Sequence, residues 1–349
     1  MAHLSRATGR QSREDTIHLI PRIAAIICGA LLLAGVAVAQ PVELANEQMT
    51  IAFDPDDGYA ISSLVNRAHD VDFIEARPED AAEQNRSPWQ IEVHSTTQTA
   101  TLTAADAESA THQIDGDTLT ITWTGVQSEE MPGDLTVTAT VRLPEDSAKA
   151  YFDCEVSGET SGWLWQVDFP RVFGIRDFAD CQMSLPCYWG RLVRKPQSLG
   201  RAASLAYPEP ASMQWFSYWG VDEDRDPPLV EEEGRNPETG WSPDYSDAAG
   251  LYWAAEDGDL YMKRFAWDPT LAGEQMSFHV ENIPGLDRWP MPEITEPTAI
   301  SYEMPYEVAV GVFTGDWLDA AQIYLDWAKG QQWTQRGPVD ELPEEMPEP

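Results

Sequence analysis

The feature that most constrains this chain is a period-2 alternation of apolar and polar residues, repeated from about residue 48 to 313. Trp89-Gln90-Ile91-Glu92-Val93 and Leu119-Thr120-Ile121-Thr122-Trp123 both alternate, and Leu135 to Val141 is a longer run of the same kind. Alternation puts one face of a strand in a core and the other in water, which describes antiparallel sheets. Further strands are expected at Ile51–Phe53, Tyr59–Val65, Ala150–Val156, Trp163–Val167, Met213–Trp219, Gly250–Ala255, Leu260–Ala266, Met276–Glu281 and Ile300–Phe313. Asp115-Gly116-Asp117 between two apolar runs predicts a tight hairpin.

One helix is expected, near the end. Trp317, Ala320, Ala321, Tyr324, Trp327 and Ala328 recur at three- and four-residue steps, behind the capping group Thr314-Gly315-Asp316. A single helix after many strands excludes a (β/α)8 barrel, which needs strands and helices in alternation. The fold expected is mainly β: a large antiparallel β-super-sandwich over 40–313 with a C-terminal helix over 314–336. Residues 337–349 read as an acidic, Pro-rich tail.

Residues 1–39 have the layout of a signal peptide. Arg6, Arg10, Arg13 and Arg22 precede the uncharged apolar run Ile23–Val38, and Ala37-Val38-Ala39 is an A-x-A cleavage site. An uncleaved anchor is the competing reading of that run. Cleavage makes the chain secreted or periplasmic and leaves no membrane association. It also takes the charge from −37 to −39. With 59 acidic against 22 basic residues, a phosphate-tracking nucleic-acid binder is excluded. Export permits disulfides. Cys181 and Cys187 are close enough in sequence to bridge a loop, and Cys154 is the odd one. Asn85-Arg86-Ser87 matches a glycosylation acceptor.

Nucleotide loops, HExxH and GxSxG are all absent from the sequence. Candidate catalytic groups are therefore sought on strands. His279 and Glu281 stand at i and i+2 and share a sheet face, with Glu303 on a neighbouring strand, a set able to act as acid and base on a sugar. No carboxylate pair for glycoside hydrolysis can be singled out among so many acids. Asp222, Asp224, Asp226 and Glu233 match positions one, three, five and twelve of a calcium loop. Pro227 replaces the glycine that such a loop needs, so calcium is at most a loosely held ion and no other cofactor is expected.

Aromatic residues suggest a glycan partner. Trp189, Gln214, Trp215, Tyr218 and Trp219 concentrate rings and an amide in two short segments. A ring face stacks on the C–H face of a sugar, and amides and carboxylates bond its hydroxyls. Ordinary core packing of a large sandwich is the competing reading of the same rings.

Three segments carry a family resemblance. They are Ile51-Ala52-Phe53-Asp54 through Gly58 to Leu64; Tyr207-Pro208 and Ala211–Trp215 with Gly250–Ala254 and Asp257; and Gly311–Trp317 with Asp319-Ala320-Ala321, Tyr324, Trp327-Ala328 and Gln332-Trp333-Thr334. Together they resemble the N-terminal, galactose mutarotase-like super-sandwich of uncharacterised bacterial glycoside-hydrolase-like proteins. In that group a TIM-barrel hydrolase domain follows the third segment, so the resemblance implies that the catalytic carboxylates belong to a barrel this chain does not contain. It implies a carbohydrate-associated domain that binds glycan or supports such a barrel, encoded separately or missing. A sugar epimerase or glycoside hydrolase acting within the sandwich, and a purely structural extracellular domain, are the alternatives.

Overall fold

The computed structural model describes residues 40–78, 85–187, 190–208, 213–222, 229–231, 241–243, 245–271, 275–285 and 297–334. Residues 1–39, read above as signal-like, and the chain from 335 lie outside the described residues. The architecture is the β-sandwich that the alternation predicts.

A ten-stranded antiparallel sheet forms one layer. Its path runs Arg191–Arg194, Asp180–Leu185, Trp215–Val221, Ala249–Ala255, Val308–Thr314, Lys149–Thr160, Gly133–Arg142, Thr118–Val126 and Ser109–Asp115, with Thr298–Glu303 also paired to Lys149–Thr160. The second layer has six strands: Ala203–Tyr207, Lys263–Asp268, Met276–Asn282, Trp163–Ile175, Gln90–His94 and Thr99–Thr103. A four-stranded sheet, Val42–Ala45, Met49–Asp54, Ala60–Asn66 and Val71–Asp72, joins the same core.

Rings interlock the two large layers. Phe216 meets Phe278 at 4.9 Å and Phe265 at 5.8 Å, and Phe152 meets Phe169 at 6.0 Å. Trp123 is edge-on to Trp89 at 5.7 Å and, at 5.9 Å, to Tyr59 in the turn just before the strand Ala60–Asn66. Such edge-to-face contacts add specificity beyond the area buried.

A smaller core lies on the other side of the ten-stranded sheet. It holds Trp215, Trp219, Tyr252, Phe313 and Ala320, under the helix Trp317–Ala328. That helix starts on a capping box: Asp316 Oδ1 accepts from Leu318 N at 2.8 Å, and Asp319 Oδ2 accepts from Asp316 N at 3.0 Å. It is shorter than the 314–336 expected. Gly330 follows its last turn, and 331–334 form turns closed by the Thr334 hydroxyl on Ala328 O and Gln331 O.

Several expected strands differ in their bounds: Trp163–Val167 continues to Ile175, and Met213–Trp219 is shifted to Trp215–Val221. Ile300–Phe313 divides into Thr298–Glu303 and Val308–Thr314, because Pro305 lies in the run and cannot donate to a ladder. Leu260–Ala266 begins only at Lys263, because Asp257 gathers the preceding residues into a loop. The hairpin at Gly116 forms as predicted, with Gly116 at φ +62° and Asp115 paired to Thr118.

Cys154, Cys181 and Cys187 are all free and buried, so the bridge that the spacing of Cys181 and Cys187 allows is not formed. The Cys181 thiol instead faces Asp177 Oδ1 at 3.5 Å and Gln197 Oε1 at 3.4 Å. Burial raises its pKa to about 12.

Candidate functional site

The side of the six-stranded sheet turned away from the core carries a cluster of ionisable groups. Register puts them there. Asp168 stands opposite both Glu281 and Gln90, Arg171 opposite His279, Arg264 opposite Glu281, and Gln166 opposite Glu92. Directly opposed residues share a face. The alternate residues Phe278 and Val280 point into the core.

The cluster is knit by hydrogen bonds. Asp168 accepts from Gln166 Nε2 at 2.7 Å and from Gln90 Nε2 at 3.2 Å. Arg264 donates to Gln166 Oε1 at 3.2 Å and pairs with Glu281, Nε to Oε2, at 2.7 Å. His279 Nε2 lies 3.6 Å from Glu281 Oε1. The Arg171 guanidinium sits 4.8 Å over the Phe173 ring. Along the same face, His94 stacks on Trp165 at 5.0 Å and approaches Glu92 at 3.3 Å.

Burial governs the charges. Asp168 is only 3% exposed, and desolvation raises its pKa to about 6. The Glu281 charge adds to the rise, while His279, Gln166 and Arg171 oppose it. Arg171 is pushed down to about 10 by burial, against the pull of Asp168. A carboxyl group titrating near 6 beside an imidazole can give or take a proton close to neutral pH. Paired donors and acceptors on a fixed sheet also suit a polyhydroxylated ligand.

Of the three candidate catalytic residues, His279 and Glu281 do come together. Glu303 does not: it lies exposed in the ten-stranded sheet, opposite Glu155. Asp168, Arg171, Arg264 and Gln166 were not singled out from the sequence. Their signal was present, since polar residues alternate with apolar ones through Gln166-Val167-Asp168. Which strands lie beside Met276–Asn282 is a property of the sheet order, which alternation does not encode.

The candidate glycan-stacking residues have another fate. Tyr218 and Trp219 are wholly buried, Gln214 is wholly buried, and Trp215 is 5% exposed. Their strand is interior to the ten-stranded sheet and covered on both faces. Phe216 and Tyr218 face the main core, whereas Trp215 and Trp219 lie under the helix. No sugar reaches Gln214, Tyr218 or Trp219 in this arrangement. Gln214 serves the interior instead, donating to Asp257 O at 2.7 Å and accepting from Lys263 Nζ at 3.1 Å. Trp215 keeps an edge in a cleft of about 660 Å³, with Met213, Leu185, Leu192 and Trp317. Trp189 lies outside the described residues, as do Asp224, Asp226 and Glu233 of the calcium reading. The fourth of those, Asp222, is paired with Arg176 at 2.8 Å. Among the described residues no group of three or more His, Cys, Asp or Glu is placed to hold a metal ion. Among them, too, no helix is long and apolar enough to cross a membrane.

A family model described as a domain of unknown function, DUF6259, matches residues 302–348. No curated protein matches the chain. Solved structures similar to it include a galactose mutarotase related enzyme from Lactobacillus acidophilus, at 10% identity and a TM-score of 0.46, covering 79% of this chain and 98% of that one. An α-N-acetylgalactosaminidase from Bifidobacterium bifidum is similar at 10% identity and a TM-score of 0.48, over 82% of this chain and 39% of that one. An α-galactosidase from Lactobacillus brevis follows at 9% and 0.44, over 83% and 41%. The chain thus spans about two fifths of the length of these two glycosidases.

Proposed function

We propose that this chain is an exported, carbohydrate-binding β-sandwich that holds glycan on the outer face of its six-stranded sheet. The observation that carries this reading is the cluster of Asp168, Glu281, His279, Arg171 and Arg264, with Trp165 and His94 along the same face. Sugar hydroxyls need both donors and acceptors at short range, and the cluster offers the hydrogen-bonded set of Gln90, Gln166, Asp168 and Arg264 with the charged groups of Glu281, His279 and Arg171 beside it. The half-buried Trp165 adds an apolar surface for the sugar's C–H face. The resemblance of the three sequence segments to glycoside-hydrolase-like proteins points to the same ligand class. Export rests on the signal-like residues 1–39. A hydrolase barrel, following or separately encoded, is the partner that the resemblance suggests.

The test is a broad glycan array on the processed protein, with Arg264→Ala and Trp165→Ala compared to wild type. Saturable binding that both substitutions weaken while the melting curve stays intact supports the reading. Binding that ignores both moves the glycan elsewhere.

A second reading has its own observation. His279 and Glu281 are 3.6 Å apart, with the raised carboxyl of Asp168 in the same cluster. That set suits proton transfer to and from a sugar ring oxygen and its anomeric hydroxyl, as in mutarotation. Polarimetry on freshly dissolved aldohexoses decides it: acceleration by the wild type that His279→Ala removes makes the sandwich an epimerase, and no acceleration leaves binding alone.

A further inference from the structure

The two ends of the ten-stranded sheet are built differently. One end, Arg191–Arg194, is four residues long, carries an arginine at each terminus, and runs into Lys195 and Pro196. Charge, brevity and proline are the usual devices that keep a free edge from pairing with another chain. The other end, Ser109–Asp115, is seven residues long and has no Lys, Arg or Pro. All seven of its residues are exposed, and among the described residues its only ladder is to Thr118–Val126.

Its side chains add a second observation. Ala110, His112 and Ile114 stand opposite Trp123, Ile121 and Leu119, which are buried in the main core. These three positions therefore lie on the core side of the sheet, just past its rim. His112 is anchored there by the Tyr59 hydroxyl at 2.9 Å from Nδ1. Ala110 and Ile114 remain uncovered, with Ile114 47% exposed.

We propose that Ser109–Asp115 is a self-pairing edge, which joins two copies of this chain into one continuous antiparallel sheet about a two-fold axis at His112. That axis makes the strand its own complement. Ala110 meets the partner subunit's Ile114, and Ile114 meets the partner subunit's Ala110, so the two uncovered apolar positions cover each other. Thr111 meets the partner subunit's Gln113, and Asp115 meets the partner subunit's Ser109, whose hydroxyl can donate to the carboxylate. No like charges stand directly opposite within these seven positions, the condition under which cross-strand pairs stabilise. Such a contact is isologous and closes at two copies. One strand edge is a small interface, so the dimer is a weak one. Each chain carries a charge of −37, and Glu108 and Asp117 flank the ladder. Repulsion between copies therefore opposes pairing, and salt relieves it.

Sedimentation velocity over a concentration series tests this on the purified protein. The expected result is a monomer–dimer equilibrium that shifts toward dimer when salt rises from about 50 mM to about 500 mM, as the screening length shrinks. Ala110→Glu with Ile114→Glu puts like charges at both paired positions and weakens association roughly tenfold. Ala110→Lys with Ile114→Glu puts opposite charges at the same positions and restores association to within about threefold of wild type. A wild type that stays monomeric to about 1 mM in high salt overturns the proposal, independently of any variant. So does a dimer indifferent to the paired glutamates, or one that the opposite charges fail to restore.

Discussion

Lys263 Nζ and the Asp257 carboxylate form an ion pair in which neither side chain is more than 1% exposed. The pair organises everything around it. Asp257 Oδ1 accepts from Asp259 N and Oδ2 from Tyr261 N, both at 2.7 Å. Lys263 donates further to Gln214 Oε1 at 3.1 Å and to Tyr261 O at 2.8 Å. Its ammonium sits 4.3 Å from the Tyr306 ring centre and 4.6 Å from that of Tyr207. Burial lowers the Lys263 pKa to about 8, with Asp257 pulling the other way. The loop that leads to the strand Lys263–Asp268, one neighbour of the cluster-bearing strand, is thus held by a fully bonded buried charge.

Lys263→Met should destabilise the protein by about 3–5 kcal/mol, because it leaves a buried carboxylate without its counter-charge. Adding Asp257→Asn should recover part of that loss, since the uncompensated charge is then gone. Urea unfolding of the two variants measures both. A Lys263→Met loss under about 1 kcal/mol would mean that water reaches the pair.

Asp168 gives a pH dependence of stated sign. Its folded pKa, about 6, lies above the ordinary aspartate value of 3.8. The folded state therefore binds the proton more tightly than the unfolded state. The contribution from this group is most favourable below the lower value and is lost as pH rises through the window between the two, by about 3 kcal/mol in all. Asp168→Asn should flatten the stability–pH curve across that window. Denaturant midpoints taken at half-unit steps from pH 4 to pH 7 test it, and a parallel curve for the variant counts against it.

Trp215 and Trp317 should respond very differently to alanine. The Trp215 ring stacks near Tyr252 at 6.3 Å and Tyr324 at 6.0 Å and joins the helix to the sheet. Its removal should cost about 3–5 kcal/mol. Trp317 is 38% exposed at the helix start, and its removal should cost under about 1 kcal/mol. Thermal unfolding followed by calorimetry separates the two.

Asp316→Ala removes the helix cap and half of the capping box, which should cost about 1 kcal/mol. The loss should appear first as faster amide exchange at Leu318 and Asp319, whose N–H groups open the helix. Unchanged exchange there would show that packing against Trp215–Val221 alone holds the first turn.

Much of this molecule was legible in the order of its residues. Leu119 to Trp123 and Leu135 to Val141 announce their strands, because alternation is a local property of a half-buried chain. Asp316 and the Trp317–Ala328 pattern announce the helix for the same reason, through spacing within a few turns. The fold class followed, as did the sharing of one face by His279 and Glu281. Tertiary structure alone decided the rest. Trp219 and Tyr218 look like a binding platform in sequence, yet their strand is sandwiched between the core and the helix, so both faces are interior. Asp168, Arg171 and Arg264 look like surface charges, yet strand order sets them beside His279 and Glu281, where burial raises one carboxyl group toward neutrality. Periodicity fixes which residues share a face of one strand. Which strands become neighbours, and what covers each face, depends on contacts between residues about a hundred positions apart, such as Gln166 with Arg264 and Val167 with Asn282.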